Sequence, residues 1–150
     1  MMKEERRVAF SQLEHITIAI KDMEEAVKFY SSLGIGPFTP PSGHSFASRT
    51  LRGKPLGSTK IIVREAKIGS VVLQLVQHVE GEGILKEFID KKGQGVQHLG
   101  FVVGDINREE GKLVKLGLKV TQRGRREDGS GYTFFDTEKQ GGVVLEIKQD

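Results

Sequence analysis

The chain has 150 residues, of which 37% are hydrophobic and 29% are charged, so it can bury the core of one globular domain. It contains no cysteine, which excludes disulfides, thiolate metal ligands and a cysteine nucleophile. No apolar run approaches the ~18–20 residues of a membrane span, and the net charge of +3 comes from acids and bases mixed along the chain. We therefore expect a soluble cytoplasmic protein that binds neither nucleic acid nor membrane.

The first half is predicted to form a strand, a helix and three further strands. Leu13 to Ile20 alternates apolar and polar residues, as a half-buried strand does. Asp22, with Glu25 three residues later, predicts the start of a helix that ends at Gly34. Gly- and Pro-rich stretches then separate three β-rich segments. These segments are residues 45–52, 60–66 and 70–77.

A helix predicted at 82–92 is followed by the same pattern again. A strand is expected at 96–103, a helix from Asp105 to Leu116, and strands at 118–123, 132–136 and 143–148. Three features recur at one offset of 83 residues: a histidine (His15 and His98), an aspartate before a helix, and the Leu-Gly pair that ends it. Three matches in register indicate an internal repeat. We therefore predict an α+β fold in which two fused βαβββ modules, residues 13–78 and 95–149, form one domain around a cupped mixed sheet.

Polar residues inside otherwise apolar strands mark the candidate site. His15 and His98 occupy the repeated strand position, Gln74 lies in VVLQLV, and Glu146 lies in VVLEI. A carboxylate in such a run is costly to bury unless it is paired or bound to a metal. Two imidazoles, an amide and a carboxylate suit a six-coordinate divalent ion with open positions. Taken singly, a strand histidine is more often structural and a glutamate near a C-terminus more often solvated.

The segment HITIAIKDMEEAVKFYSSLGI resembles the opening module of the vicinal oxygen chelate superfamily, which includes glyoxalase I, extradiol dioxygenases and bleomycin-resistance proteins. The segments ILKEFIDKKGQGVQHLGFVVGDI and GGVVLEIKQ are most similar to the methylmalonyl-CoA epimerases of that superfamily. The resemblance implies the glyoxalase-like fold and one divalent metal ion: Co, Mn, Ni, Zn or Fe. It implies His15, Gln74, His98 and Glu146 as the ligands, and a homodimer.

The catalytic base is less directly indicated. The epimerases usually carry two adjacent histidines where this chain has Gln97-His98. They also carry a glutamate that acts as a base before the hairpin strand, whereas residues 56–60 of this chain hold no acid. Glu65 is the nearest candidate. A hairpin folded about Ile68-Gly69 would pair Glu65 with Val72 and Val63 with Gln74, which places Glu65 on the metal side; a slip of one residue would turn it outward. We expect Glu65 and Glu146 to be the catalytic residues, with a solvent-facing Glu65 as the alternative.

Four functions fit these residues. The first is an epimerase that removes a proton next to the carbonyl of a small acidic or thioester substrate. The others are a glyoxalase-like lyase acting on a thiol adduct, an extradiol-type dioxygenase, and a metabolite- or drug-binding protein without catalysis. Basic residues could hold an acidic substrate, although solvated loops are the ordinary explanation for them. They are Arg49, Arg52, Lys54, Lys60, Arg123, Arg125 and Arg126.

Overall fold

A computed structural model of the protein describes residues 9–43 and 45–150. The described chain opens with a 3-10 helix, Ala9–Ser11. Its strands are β1 (Leu13–Ala19), β2 (Ser48–Leu51), β3 (Lys54–Pro55), β4 (Lys60–Ile68), β5 (Val71–Glu80), β6 (Gly95–Val102), β7 (Val120–Arg125), β8 (Gly131–Phe135) and β9 (Val144–Gln149). Its helices are α1 (Met23–Ser32), α2 (Ile84–Lys92), α3 (Ile106–Lys115) and α4 (Glu138–Gly141). In this part of the chain no helix is long and apolar enough to cross a membrane.

All nine strands form one mixed sheet in the order β3-β2-β7-β8-β9-β6-β1-β5-β4. At its centre β1 and β6 are antiparallel, and each has a parallel partner on its outer side, β5 for β1 and β9 for β6. The two halves therefore meet at their first strands, β1 and β6, which occupy equivalent places in the repeat. This arrangement confirms the predicted α+β class with a large mixed sheet.

The helices α1 and α3 cover one face of the sheet. Ile106 and Leu113 of α3 join Phe135 and Ile147 in one buried cluster, and Met23 of α1 joins a second cluster with residues of β5. Burying each such side chain contributes about 1.5–3 kcal/mol to folding. Because side chains alternate along a strand, the residues next to these apolar positions face the opposite side of the sheet.

The predicted helix starts are confirmed, and the repeat extends into their capping. The Asp22 and Asp105 side chains each accept a hydrogen bond from the backbone N–H three residues on, at 3.1 Å. The first backbone N–H of each helix also donates to a glutamine on the last strand of its own half, Gln77 for α1 and Gln149 for α3. These bonds satisfy N–H groups that have no partner within the helix.

The hairpin of β4 and β5 differs from the prediction. Its turn is Gly69-Ser70, with Gly69 at φ +61°, so Glu65 pairs with Gln74 and not with Val72. Val63 accordingly pairs with Val76 rather than with Gln74. The reason is the tight two-residue turn, for which a residue at positive φ is favoured. Since the register moves by two residues, Glu65 keeps the face that was predicted for it.

The strand predicted at 45–52 is shorter than expected and pairs at the far end of the sheet. It forms β2, which is antiparallel to β7 of the second half. The outer edge of β4 is instead bridged by Thr39, whose backbone exchanges hydrogen bonds with Glu65. The short β3 and α4 were not predicted. The predicted module boundaries stay a prediction, because one strand of the first half pairs within the second.

Gly111 lies in the middle of α3, where it is exposed and an added Cβ would meet no other atom. We expect Gly111→Ala to stabilise the protein by about 0.5–1 kcal/mol, because alanine loses less backbone entropy on entering a helix. A thermal melt should rise by about 2–4 °C for each kcal/mol in a chain of this size. The matched control, Gly117→Ala, should destabilise, since Gly117 has φ +102°. Equal effects of the two changes would contradict this interpretation.

Candidate metal centre

Three polar side chains converge on the face of the sheet opposite α1 and α3. His15 on β1, His98 on β6 and Glu146 on β9 are all buried, with exposed fractions of 4–6%. The Nε2 atoms of the two histidines lie 3.2 Å apart. Oε1 of Glu146 is 2.8 Å from Nε2 of His15 and 3.3 Å from Nε2 of His98. They are the one group of three or more histidine and acidic side chains in the described residues that is close enough to hold a metal ion.

The spacing of these atoms fits a divalent cation. Nitrogen and oxygen ligands lie about 2.0–2.2 Å from a zinc-like ion, so two ligands at right angles are about 3 Å apart. The three observed separations fall on either side of this value. Among the described residues, Oε1 of Glu146 is buried and accepts no hydrogen bond of regular geometry, although such acceptors normally have a partner. Two imidazole nitrogens and one carboxylate oxygen could therefore hold the predicted ion.

The ionisation of the three groups reflects their mutual contacts. Burial lowers the pKa of His15, but the close contacts of its ring with the Glu14 and Glu146 carboxylates outweigh burial and raise that pKa to about 9. Burial raises the pKa of Glu146, but the two nearby histidines outweigh it and lower that pKa to about 2. The pKa of His98 is lowered, chiefly by burial. Without metal, the cluster thus holds an ionised carboxylate beside a protonated His15 and a neutral His98, and a divalent cation that binds there would displace the His15 proton.

Gln74 and Glu65 are linked to the cluster through Thr17. The Thr17 hydroxyl donates to Oε1 of Gln74 at 2.8 Å and is 3.0 Å from Nε2 of His98. The Gln74 amide in turn donates to Oε2 of Glu65 at 2.8 Å. A continuous row of polar contacts therefore runs from the predicted base to the predicted metal centre. The roles of Gln74 as a ligand and of Glu65 as a base stay predictions.

Aromatic rings form the wall of the centre on the second half of the sheet. Phe134 pairs directly with Glu146 across β8 and β9, and its ring centroid is 4.7 Å from that of His98. Tyr132 and then Phe46 continue the row, with centroid distances of 5.1 and 4.9 Å. Of these rings, Phe134 packs directly against a histidine of the cluster and covers it on that side. Phe134 was not predicted as a residue of the site, although it lies in the strand predicted at 132–136.

Several of the predicted basic residues are engaged within the protein. Arg125 donates to Glu110 at 2.8 Å and to Asn107 at 3.0 Å, which ties β7 to α3. Arg52 forms a two-pronged contact with Glu87, and Arg49 donates to a backbone carbonyl. These contacts favour a structural explanation for Arg125 and Arg52.

Gly100 is required by the position of the His15 ring. It pairs with His15 across β1 and β6, and a Cβ at this position would overlap the imidazole. We expect Gly100→Ala to weaken cobalt binding roughly 10–100-fold, because misorienting a ligand costs about as much as losing the group that orients it. Isothermal titration with cobalt measures this. The control is Gly104→Ala, where the added methyl has open space; equal affinities of the two variants would contradict the account.

The fold and the match to a family model define the class of protein. The model of the glyoxalase/bleomycin resistance protein/dioxygenase superfamily matches residues 14–135. The chain therefore belongs to this superfamily.

Two curated proteins are similar over almost the whole chain. The human mitochondrial methylmalonyl-CoA epimerase is 22% identical over 141 residues, which cover 92% of this chain and 73% of the human protein. YqjC, an uncharacterised protein of Bacillus subtilis, is 24% identical over 139 residues, which cover 91% of both chains.

Solved structures of epimerases share the fold. The methylmalonyl-CoA epimerase of Mycobacterium tuberculosis has a TM-score of 0.67 at 20% identity, and the match covers 95% of this chain and 90% of that chain. A variant of the Streptomyces coelicolor epimerase, in complex with 2-nitronate-propionyl-CoA, has a TM-score of 0.68 at 23% identity, and the match covers 93% of this chain and 96% of that chain. At these identities the likeness establishes the glyoxalase-like fold.

Proposed function

We propose that this protein is a metal-dependent isomerase that removes and returns a proton next to the carbonyl of an acyl-CoA thioester, as a methylmalonyl-CoA epimerase does. The observation that carries the proposal is the cluster of His15, His98 and Glu146, whose donor atoms have the spacing of metal ligands. The epimerase similarities support the choice of substrate: one neighbour, with a TM-score of 0.68, is an epimerase in complex with methylmalonyl-CoA.

The candidate base lies next to the cluster. A divalent ion bound there would supply positive charge that favours loss of a proton beside a carbonyl group. Glu65 shares the face of the sheet with the cluster, and its Oε2 atom is held by the Gln74 amide at 2.8 Å. This hydrogen bond fixes the carboxylate while leaving its other oxygen free of that contact. Glu65 would accept the α-proton as the C–H bond breaks.

Epimerisation also needs a second group, which returns a proton to the opposite face of the carbon. Glu146 is our candidate, through the carboxylate oxygen that does not face the two histidines; because this carboxylate is ionised, it would first take up a proton from solvent and then give that proton to the carbon. It lies on β9, across the central strands from Glu65 on β4. The two carboxylates lie on the same face of the sheet and would approach a substrate between them from opposite directions along the strand order, as inversion at the carbon requires.

Proton exchange at the α-carbon tests the proposal. Cobalt-loaded protein and one epimer of methylmalonyl-CoA are mixed in deuterated water, and the α-proton signal is followed by NMR. We expect the signal to disappear with the loaded protein and to persist with protein treated with a chelator. The glyoxalase-type substrate, the adduct of a thiol with an oxoaldehyde, is tested in parallel.

The outcomes separate the candidate functions. Persistence of the α-proton in the presence of protein holding one metal ion per chain would overturn the epimerase proposal. Turnover of the thiol adduct by the same preparation would then assign the glyoxalase-type reaction. If neither substrate reacts, the dioxygenase-type and binding functions remain, and oxygen uptake by the iron-loaded protein separates these two.

A further inference from the structure

The residue immediately before each histidine of the cluster is the extra residue of a β-bulge. Between Leu13 and His15, β1 advances by two residues while β6 advances by one, so Glu14 has no partner on β6. Farther along the same pairing, β6 advances by two residues from His98 to Val96 while β1 advances by one, so Gln97 has no partner on β1. Bulges redirect side chains and are common beside active sites.

The two bulge residues reach the same atom of their respective histidines. Oε1 of Glu14 lies 2.9 Å from Nδ1 of His15, and Oε1 of Gln97 lies 2.5 Å from Nδ1 of His98. In a regular strand adjacent side chains point to opposite faces, so these contacts depend on the bulges. Glu14 and Gln97 are 83 residues apart, which is the offset of the internal repeat.

We propose that Glu14 and Gln97 are the positioning residues of the metal centre, an inference that rests on the proposed metal-dependent function. A carboxylate or amide oxygen that accepts a hydrogen bond from Nδ1–H fixes the tautomer, so that the lone pair is on Nε2. The Nε2 atoms are the ones that meet at Glu146. The bulges thus serve both halves of the site in the same way.

The two positions differ in charge, and this difference makes the halves unequal. Glu14 is an acid that is also bound by the Lys148 ammonium at 2.9 Å, and its side chain is 29% exposed. Gln97 is neutral and only 2% exposed. A charged acceptor draws more electron density into the imidazole than an amide does, so His15 is the stronger donor to a metal. Because the buried Gln97 side chain is neutral, this half of the site avoids the free-energy cost of burying a second carboxylate.

Cobalt binding by single variants tests this proposal. Affinity is measured by competition with a chelator, and the visible spectrum of bound cobalt reports the geometry of its ligands. We expect Glu14→Ala and Gln97→Ala each to weaken binding roughly 10–100-fold and to shift the spectrum. Glu14→Gln keeps an acceptor at the same place, so it should keep the spectrum of the wild type with a smaller loss of affinity. Gln97→Glu should strengthen binding.

The controls separate positioning from a general structural role. Glu24→Ala removes an exposed acid from α1 and should change neither affinity nor spectrum. If the alanine variants bind cobalt like Glu24→Ala, or lose affinity with an unchanged spectrum and a lower melting temperature, Glu14 and Gln97 do not position the ligands. Failure of the wild type to bind cobalt would instead overturn the metal centre itself.

Discussion

Replacing Glu146 with glutamine is expected to lower the affinity for cobalt by roughly a hundredfold to a thousandfold. A four-ligand zinc site releases roughly 10–16 kcal/mol on binding, so one ligand is worth about 3 kcal/mol, and each 1.4 kcal/mol is a factor of ten. The change keeps the shape of the side chain and removes its negative charge. That charge lies 2.8 and 3.3 Å from the two histidine nitrogens, in a site with little access to water.

Glu127→Gln is the matched control, because it removes the same charge from an exposed turn of the same half of the chain. Isothermal titration of both variants should give wild-type affinity for Glu127→Gln alone. The folded state of Glu146→Gln is checked by its melting temperature without metal. Wild-type cobalt affinity in a folded Glu146→Gln protein would remove Glu146 from the ligand set.

The second large effect is expected for Glu65→Gln, which should slow exchange of the α-proton roughly a hundredfold to ten-thousandfold. Glutamine cannot accept the proton, but it can still meet the amide of Gln74 across the hairpin. Metal affinity should therefore stay within about twofold of the wild type, because second-sphere groups act chiefly through hydrogen bonds to the ligands and glutamine keeps an acceptor for the Gln74 amide. The loss would then lie in the chemical step.

Glu80→Gln serves as the control for Glu65→Gln. Glu80 ends β5 of the same hairpin and is exposed, so its loss should leave exchange unchanged. Equal exchange rates for the wild type and Glu65→Gln would show that another group takes the proton. A rate that falls only in step with metal content would make Glu65 a structural support for Gln74.

Much of the fold was accessible from the sequence, because the repeat carries strong local signals. Asp22 and Asp105 cap their helices as predicted, and α1 and α3 have the same length at the predicted offset. The convergence of His15, His98 and Glu146 followed from polar residues placed on strands that the repeat makes equivalent. Local patterns of caps and alternation are set by neighbours in the chain, which a single sequence displays.

Other features depend on contacts that the sequence does not encode locally. The register of β4 and β5 follows from the choice of Gly69-Ser70 as the turn, and a one-residue difference in loop position is invisible to an alternating pattern. The pairing of β2 with β7 joins segments far apart in the chain. The bulges at Glu14 and Gln97 interrupt no pattern, so the second contacts of the histidines went unpredicted. The expected homodimer stays a prediction.

The central claim is that His15, His98 and Glu146 bind one divalent ion. Crystals of the protein grown with cobalt, with diffraction recorded on both sides of the cobalt absorption edge, test it most directly. We predict one anomalous peak per chain, in contact with Nε2 of both histidines and with Oε1 of Glu146. A peak at another position, or no peak at this cluster in crystals shown to contain cobalt, would contradict the account.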